Sequence, residues 1–156
     1  MNCILHVGLH HTGTTSLQRF LNDKKHFLRK NCILYPDTAL YGGQHSLIPG
    51  CFIKNHPFLP NNRSYDINYY FSQLEKEISD SSCELCILSS EVFSELLKKD
   101  SEKVNFIVTK LEKYFNRLEI LITTRDPTYR GLSQLKAMLR QSSIKKHFRK
   151  EIFNAP

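Results

Sequence analysis

Asn2-Cys3-Ile4-Leu5-His6-Val7-Gly8-Leu9-His10-His11-Thr12-Gly13-Thr14-Thr15 is an apolar run leading into a turn that opens a helix. The run Asn2 to Val7 is short, mostly apolar and closed by a glycine, which is the pattern of a buried strand. Gly8 to Thr15 has the spacing of the phosphate-binding loop GxxxxGK[ST], with Thr14 standing where the lysine belongs. Its glycines let the backbone turn N–H groups toward one point, and the next helix adds its positive N-terminal end. Thr12, Thr14, Thr15 and Ser16 crowd hydroxyl donors into the same place. The loop is therefore expected to hold a phosphate. Without the lysine, less charge meets the β and γ phosphates of a nucleotide, so ordinary ATP hydrolysis is poorly served.

Working outward, strand and helix patterns alternate. Thr14 to Lys30 reads as a helix with Leu17, Phe20, Leu21, Phe27 and Leu28 on one face, and Cys32 to Tyr35 as a second strand stopped by Pro36-Asp37. Tyr41 to Ser64 is irregular, with several Gly and Pro residues, and a loop of that length is usually functional or mobile. Asp66 is placed to cap a helix whose apolar face is Ile67, Tyr70, Phe71, Leu74 and Ile78. Leu85 to Ser89 is a third strand, succeeded by a short helix from Val92 to Lys98. Ser101 to Asn116 is a further helix with Val104, Ile107, Val108, Leu111 and Phe115 inward. Leu118 to Thr124 is a fourth strand. After Asp126-Pro127, where proline suits a first helical turn, comes a last helix with Leu132, Leu135 and Leu139 facing inward. Strands separated by helices predict a three-layer α/β/α domain with a central parallel sheet covered on both faces. In such sheets ligands bind beyond the carboxyl ends of the strands, which points to the segments just after Val7 and just after Thr124.

The chain has 156 residues, 40% of them hydrophobic and 24% charged, enough for one domain with its own core. No apolar run is long enough to span a membrane and the N-terminus is not a secretory signal, so the expected location is the cytoplasm. Five cysteines in no framework spacing read as reduced, mostly buried thiols; zinc or redox chemistry at Cys83 and Cys86 is the minor alternative. The net charge of +7 is local: Pro127 to Lys150 contains Arg130, Lys136, Arg140, Lys145, Lys146, Arg149 and Lys150 and no acid. Such a stretch is either a solvated helix face or the field for an anionic partner. A second anion site is placed by Arg125 at the end of the last strand and Ser133 on the helix behind it. For Arg125 alone, a surface ion pair is the commoner role.

Taken together, the two sites resemble a known family. Ile4 to Gln18 looks like the 5′-phosphosulfate loop of the sulfotransferases, and Arg125 with Ser133 looks like their 3′-phosphate motif. The resemblance runs from residue 2 to about residue 141 through two motifs in the right order. It implies a P-loop nucleoside triphosphate hydrolase-like fold and the donor 3′-phosphoadenosine 5′-phosphosulfate (PAPS), with no metal. By the resemblance His11, Thr12, Gly13, Thr14, Thr15 and Ser16 hold the 5′-phosphate, and Arg125 and Ser133 hold the 3′-phosphate. His11 stands where the family has a lysine that assists the bridging oxygen, which implies transfer that is slower or favoured at lower pH. Family members continue with further helices, a strand and a basic loop, so residues 1–156 are expected to be a single, shortened domain.

In-line sulfuryl transfer also needs a base for the acceptor hydroxyl. Glu91, after the third strand, and His45, in the irregular region, are the candidates; a helix cap and an ordinary loop histidine are their plainer roles. The expected reaction is sulfuryl transfer to a hydroxyl or amine of a small-molecule, carbohydrate or lipid acceptor. The competing readings are a P-loop kinase or NTPase variant and a non-catalytic relative that binds PAP (3′-phosphoadenosine 5′-phosphate) or another nucleotide. Nucleic-acid binding by Arg130 to Lys150 is not expected, because that stretch has one aromatic residue, Phe148, and no recognition motif.

Overall fold

The computed structural model describes residues 1–9 and 12–141, the side chains of residues 134 and 136–141 excepted. The chain divides after Thr123 into two compact units, Met1–Thr123 and one beginning at Thr124. The first is a mixed α/β unit built on four parallel strands: β1 (Asn2–Gly8), β2 (Ile33–Leu34), β3 (Leu85–Ser90) and β4 (Arg117–Thr123), in the spatial order β2-β3-β1-β4. Helices α1 (Thr14–Asp23) and α2 (Lys25–Lys30) come after β1, α3 (Leu47–Gly50) and α4 (Ile67–Ser79) after β2, and α5 (Val92–Lys99) and α6 (Ser101–Leu111) after β3. No helix among the described residues is long and apolar enough to cross a membrane.

The alternation of a strand puts Cys3 and Leu5 of β1 and Cys86 and Leu88 of β3 on one face. There they join Phe71 and Leu74 of α4, Phe93 and Leu96 of α5, and Ile107 and Leu111 of α6 in the main core. On the other face a smaller cluster of Leu21, Leu28 and Tyr35 packs with Ile33 and Ile87. The expected face of α4 is confirmed, as is its cap: Asn68 N–H donates to Asp66 Oδ1 at 2.9 Å. The cysteines form no disulfide, and all but Cys32 are buried. The Cys3 thiol, as hydrogen-bond partner, and burial both raise the Cys86 pKa well above the usual thiol value, which suits a packing role.

One expectation needs correction. The single helix from Thr14 to Lys30 is two, parted at Lys24, whose backbone (φ −103°, ψ 16°) leaves helical geometry. Its inward face is Thr14, Gln18, Leu21 and Leu28, while Leu17, Phe20 and Phe27 are exposed. A polar network beneath the loop takes the places that apolar spacing alone assigns to leucine and phenylalanine. On β4, at the end of the strand order among the described residues, Ile120, Leu121 and Ile122 are each about half exposed although they alternate between faces.

Tyr41 to Ser64, expected to be irregular and either functional or mobile, carries residues of the main core, namely Ile48, Cys51, Ile53 and Leu59. Arg63 is buried with them, its guanidinium donating to the carbonyls of Gly50 (3.4 Å), Pro60 (2.7 Å) and Ile53 (2.5 Å). It also lies 4.7 Å from the Tyr65 ring centroid. One side chain thereby gives the Ile53 carbonyl a donor and adds a second donor to the Gly50 and Pro60 carbonyls, which also accept from the N–H groups of Ile53 and Arg63. Arg63→Met keeps the packing stem and removes the donors, so a loss of about 3 kcal/mol is expected in urea unfolding. Faster proteolytic nicking between Tyr41 and Ser64 should accompany it; an unchanged unfolding midpoint would contradict the clamp.

In the second unit, α7 (Pro127–Gln141) starts as the proline predicts: Thr128 N–H donates to Asp126 Oδ1 at 2.9 Å, and Tyr129 N–H approaches it at 3.3 Å. Leu132 and Leu135 are half exposed, and the side chain of Leu139 lies outside the described residues.

Candidate functional site

The parallel register sets the site. Val7 pairs with Ser90, so Glu91, one residue past β3, comes opposite Gly8 at the start of the loop. Gly8 has no room for a side chain: a Cβ there would stand 2.5 Å from Thr14 Cγ2 and 3.2 Å from Glu91 Cγ. This close approach, rather than a special φ, is what the first glycine of the motif provides. Gly13 is different, since its φ of 87° lies in the left-handed region that favours glycine. It is the N-cap of α1, with no capping side-chain bond and no acidic residue of the helix itself in the first turn; the carboxylate at that end comes from Glu91, which Thr14 meets. Thr15 and Ser16 are exposed there, and the Thr12 hydroxyl is turned back onto the Leu9 carbonyl at 2.6 Å.

Thr14, in the lysine position, is buried, and its hydroxyl donates to Glu91 Oε1. Glu91 stands at the N-cap position of α5 but its side chain makes no capping bond; Val92 N–H donates to Ser90 Oγ instead, at 3.1 Å. The Glu91 N–H donates to Gln44 Oε1 at 3.0 Å, which ties the irregular segment to the end of β3. The carboxylate thus sits between the loop on one side and a cavity of about 320 Å³ on the other, which Glu91 lines with Tyr41, Gln44, His56, Phe58 and Glu95.

His45 is fully buried. Its Nδ1 accepts from Ser89 N–H at 3.0 Å, so the ring proton is on Nε2 and donates to the Pro36 carbonyl at 3.0 Å. Its own N–H donates to the Ser89 carbonyl at 2.7 Å. Burial pushes the imidazole down to about 4. With both nitrogens committed to backbone, His45 fastens the irregular segment to β3 and offers no lone pair to a substrate.

Beneath the loop lies a network that sequence reasoning missed. His6 is buried in the central strand, with Nδ1 2.8 Å from Ser89 Oγ and Nε2 3.1 Å from Thr123 Oγ1, while Gln18 Nε2 donates to Ser89 Oγ at 3.1 Å. The imidazole joins the carboxyl ends of β1, β3 and β4. Burial lowers its pKa, and the nearby Glu91 charge acts in the opposite direction. The available signal was a histidine inside an apolar strand with a glutamine one helical turn into α1.

Of the expected donor residues, Thr12 to Ser16 are brought together by the loop. His11 and its neighbour His10 lie outside the described residues, as does the basic stretch beyond Gln141. Arg125 and Ser133 belong to the second unit, Arg125 just before α7 and Ser133 within it. No group of three or more His, Cys, Asp or Glu residues is placed to hold a metal ion among the described residues. No protein-family model, curated protein or solved structure matches the chain.

Proposed function

We propose that this chain is a PAPS-dependent sulfotransferase on a P-loop-like fold, transferring a sulfuryl group to a hydroxyl or amine of a small acceptor. The observation that carries the reading is the meeting of Glu91 with Thr14: a carboxylate touches the phosphate loop where a P-loop nucleotidase has its lysine. The residues present suit a phosphate, since the left-handed Gly13, the uncapped start of α1 and the exposed Thr15 and Ser16 hydroxyls share one region. Arg125 and Ser133 enter on the sequence resemblance, as the 3′-phosphate ligands, and His11 as the group at the bridging oxygen.

The donor supplies the sulfuryl group, with its 5′-phosphate as leaving group. The loop N–H groups and the end of α1 offset charge on that phosphate. Glu91 takes the proton of the acceptor hydroxyl as its oxygen bonds to sulfur and the sulfur–oxygen bond to the 5′-phosphate breaks; the proton ends on Glu91 and PAP departs. Calorimetric titration with PAP beside ATP–Mg²⁺ tests the reading. PAP should bind at micromolar concentration, ATP–Mg²⁺ clearly more weakly, and Arg125→Ala should lose PAP binding. ATP–Mg²⁺ binding more tightly than PAP would favour the kinase or NTPase reading instead.

A further inference from the structure

Helices α1 and α2 turn an apolar stripe away from the sheet. Leu21 and Leu28 pack inward with Tyr35, and Gln18 is held to Ser89, so packing fixes which side of the pair faces out. Leu17, Phe20, Lys24 and Phe27 follow one another at spacings of three, four and three, the interval that puts side chains on one face. The four-residue hydrogen bonding of a helix runs across the parting at Lys24. Its N–H donates to the Phe20 carbonyl and its carbonyl accepts from Leu28 N–H, both at 2.9 Å. Leu17 is 39% exposed, Phe20 51% and Phe27 60%. Single exposed apolar residues are ordinary, but a stripe of them marks an interaction surface.

The surroundings of the stripe are cationic. Between Thr14 and Asn31 stand five Lys and Arg residues against one acid, Asp23. Lys25 is paired with Asp37, while Arg19, Lys24, Arg29 and Lys30 make no ion pair among the described residues. Lys24 lies inside the stripe, between Phe20 and Phe27, and Lys30 follows Phe27 by one turn. Such stems lie along apolar surface while the ammonium groups stay outward. The stripe is also no groove: the cavity of about 220 Å³ beside α2 is lined by Lys25, His26 and Arg29 and by none of the three apolar residues. A convex row of Leu and Phe flanked by Lys and Arg suits a layer that yields to it and carries negative charge. The interface of a bilayer with anionic headgroups is such a layer. A folded acidic partner would have to supply a matching groove, and a second copy of this chain would bring its own cations against these.

We infer that α1 and α2 dock this protein on an anionic lipid surface, with Leu17, Phe20 and Phe27 entering the headgroup layer and Arg19, Lys24 and Lys30 meeting its negative charge. The inference does not rest on the proposed transfer, and its test contains no nucleotide. Sedimentation of the full chain with vesicles of equal parts phosphatidylserine and phosphatidylcholine reads it. Binding should weaken about tenfold or more on phosphatidylcholine alone and fall as salt is raised. The double variant Phe20→Ser, Phe27→Ser should bind the anionic vesicles about tenfold or more weakly. Lys24→Gln and Lys30→Gln should each cost about fivefold. All four positions are exposed, so the urea midpoint should match that of the wild type. Tyr69→Ser removes a comparably exposed ring from α4 and should leave vesicle binding unchanged. No binding to the anionic vesicles would overturn the inference. Binding that survives in the double variant would assign it to the basic stretch after Pro127 instead, and an equal loss in Tyr69→Ser would make it nonspecific. Self-association of the wild type that the double variant abolishes would give the stripe to a second copy. If the double variant fails to fold, the lysine variants and the wild-type lipid series still decide.

Discussion

Replacing His45 by alanine should destabilise the protein by about 3 kcal/mol or more at neutral pH, with the loss read from urea unfolding. The imidazole fills a fully buried position, and its removal leaves Ser89 N–H without an acceptor and the Pro36 carbonyl without a donor. The same residue makes the wild type acid-sensitive. Its folded pKa of about 4 lies below the ordinary value of 6.5 that it takes in the unfolded chain, so the unfolded chain binds the extra proton. His45 therefore contributes its full stability above pH 6.5 and loses it as pH falls toward 4, by about 3 kcal/mol over that interval. His6, shifted in the same direction, adds to the slope. Unfolding curves measured across this interval should show a much shallower pH dependence in His45→Ala than in the wild type. Equal slopes would mean that His45 is solvated and free to act as the base first considered for it.

The largest effect on activity should come from Glu91→Gln. If Glu91 takes the acceptor proton, the amide removes that capacity while keeping an oxygen for the Thr14 hydroxyl, and sulfuryl transfer should fall about 10²–10⁴-fold. PAP binding should persist, because the loop and α1 are unaltered. The split between lost turnover and kept donor affinity is the diagnostic. Loss of both would recast Glu91 as a prop for Thr14; loss of neither would move the base elsewhere.

The strands were legible as short apolar runs bounded by turn residues, and the larger helices because their apolar residues repeat at intervals of three and four, which burial matches in α4 and α6. The turn from Gly8 to Gly13 that opens α1 was legible as spacing. Glu91 was found from its position after an apolar strand, but its bond to Thr14 was not, since that bond depends on the pairing of Val7 with Ser90, which nothing local encodes. The inward face of α1 was misassigned for a related reason. Gln18 and Thr14 are buried because they have polar partners in Ser89 and Glu91, and apolar periodicity cannot see partners. The irregular segment shows the same limit more fully. Its order comes from His45, His56 and Arg63 turned onto backbone or carboxylate, residue types that usually mark a solvent-facing loop.

If the chain is a PAPS-dependent transferase, Gly13 to Ser16 must cradle the 5′-phosphate of the donor. Backbone amide NMR of the labelled chain, titrated with PAP, tests this most directly. The largest shifts are expected at Gly13, Thr14, Thr15 and Ser16, with smaller ones at Glu91 and Gly8. Shifts of these amides that are absent with PAP, or larger with ATP–Mg²⁺ than with PAP, would contradict it.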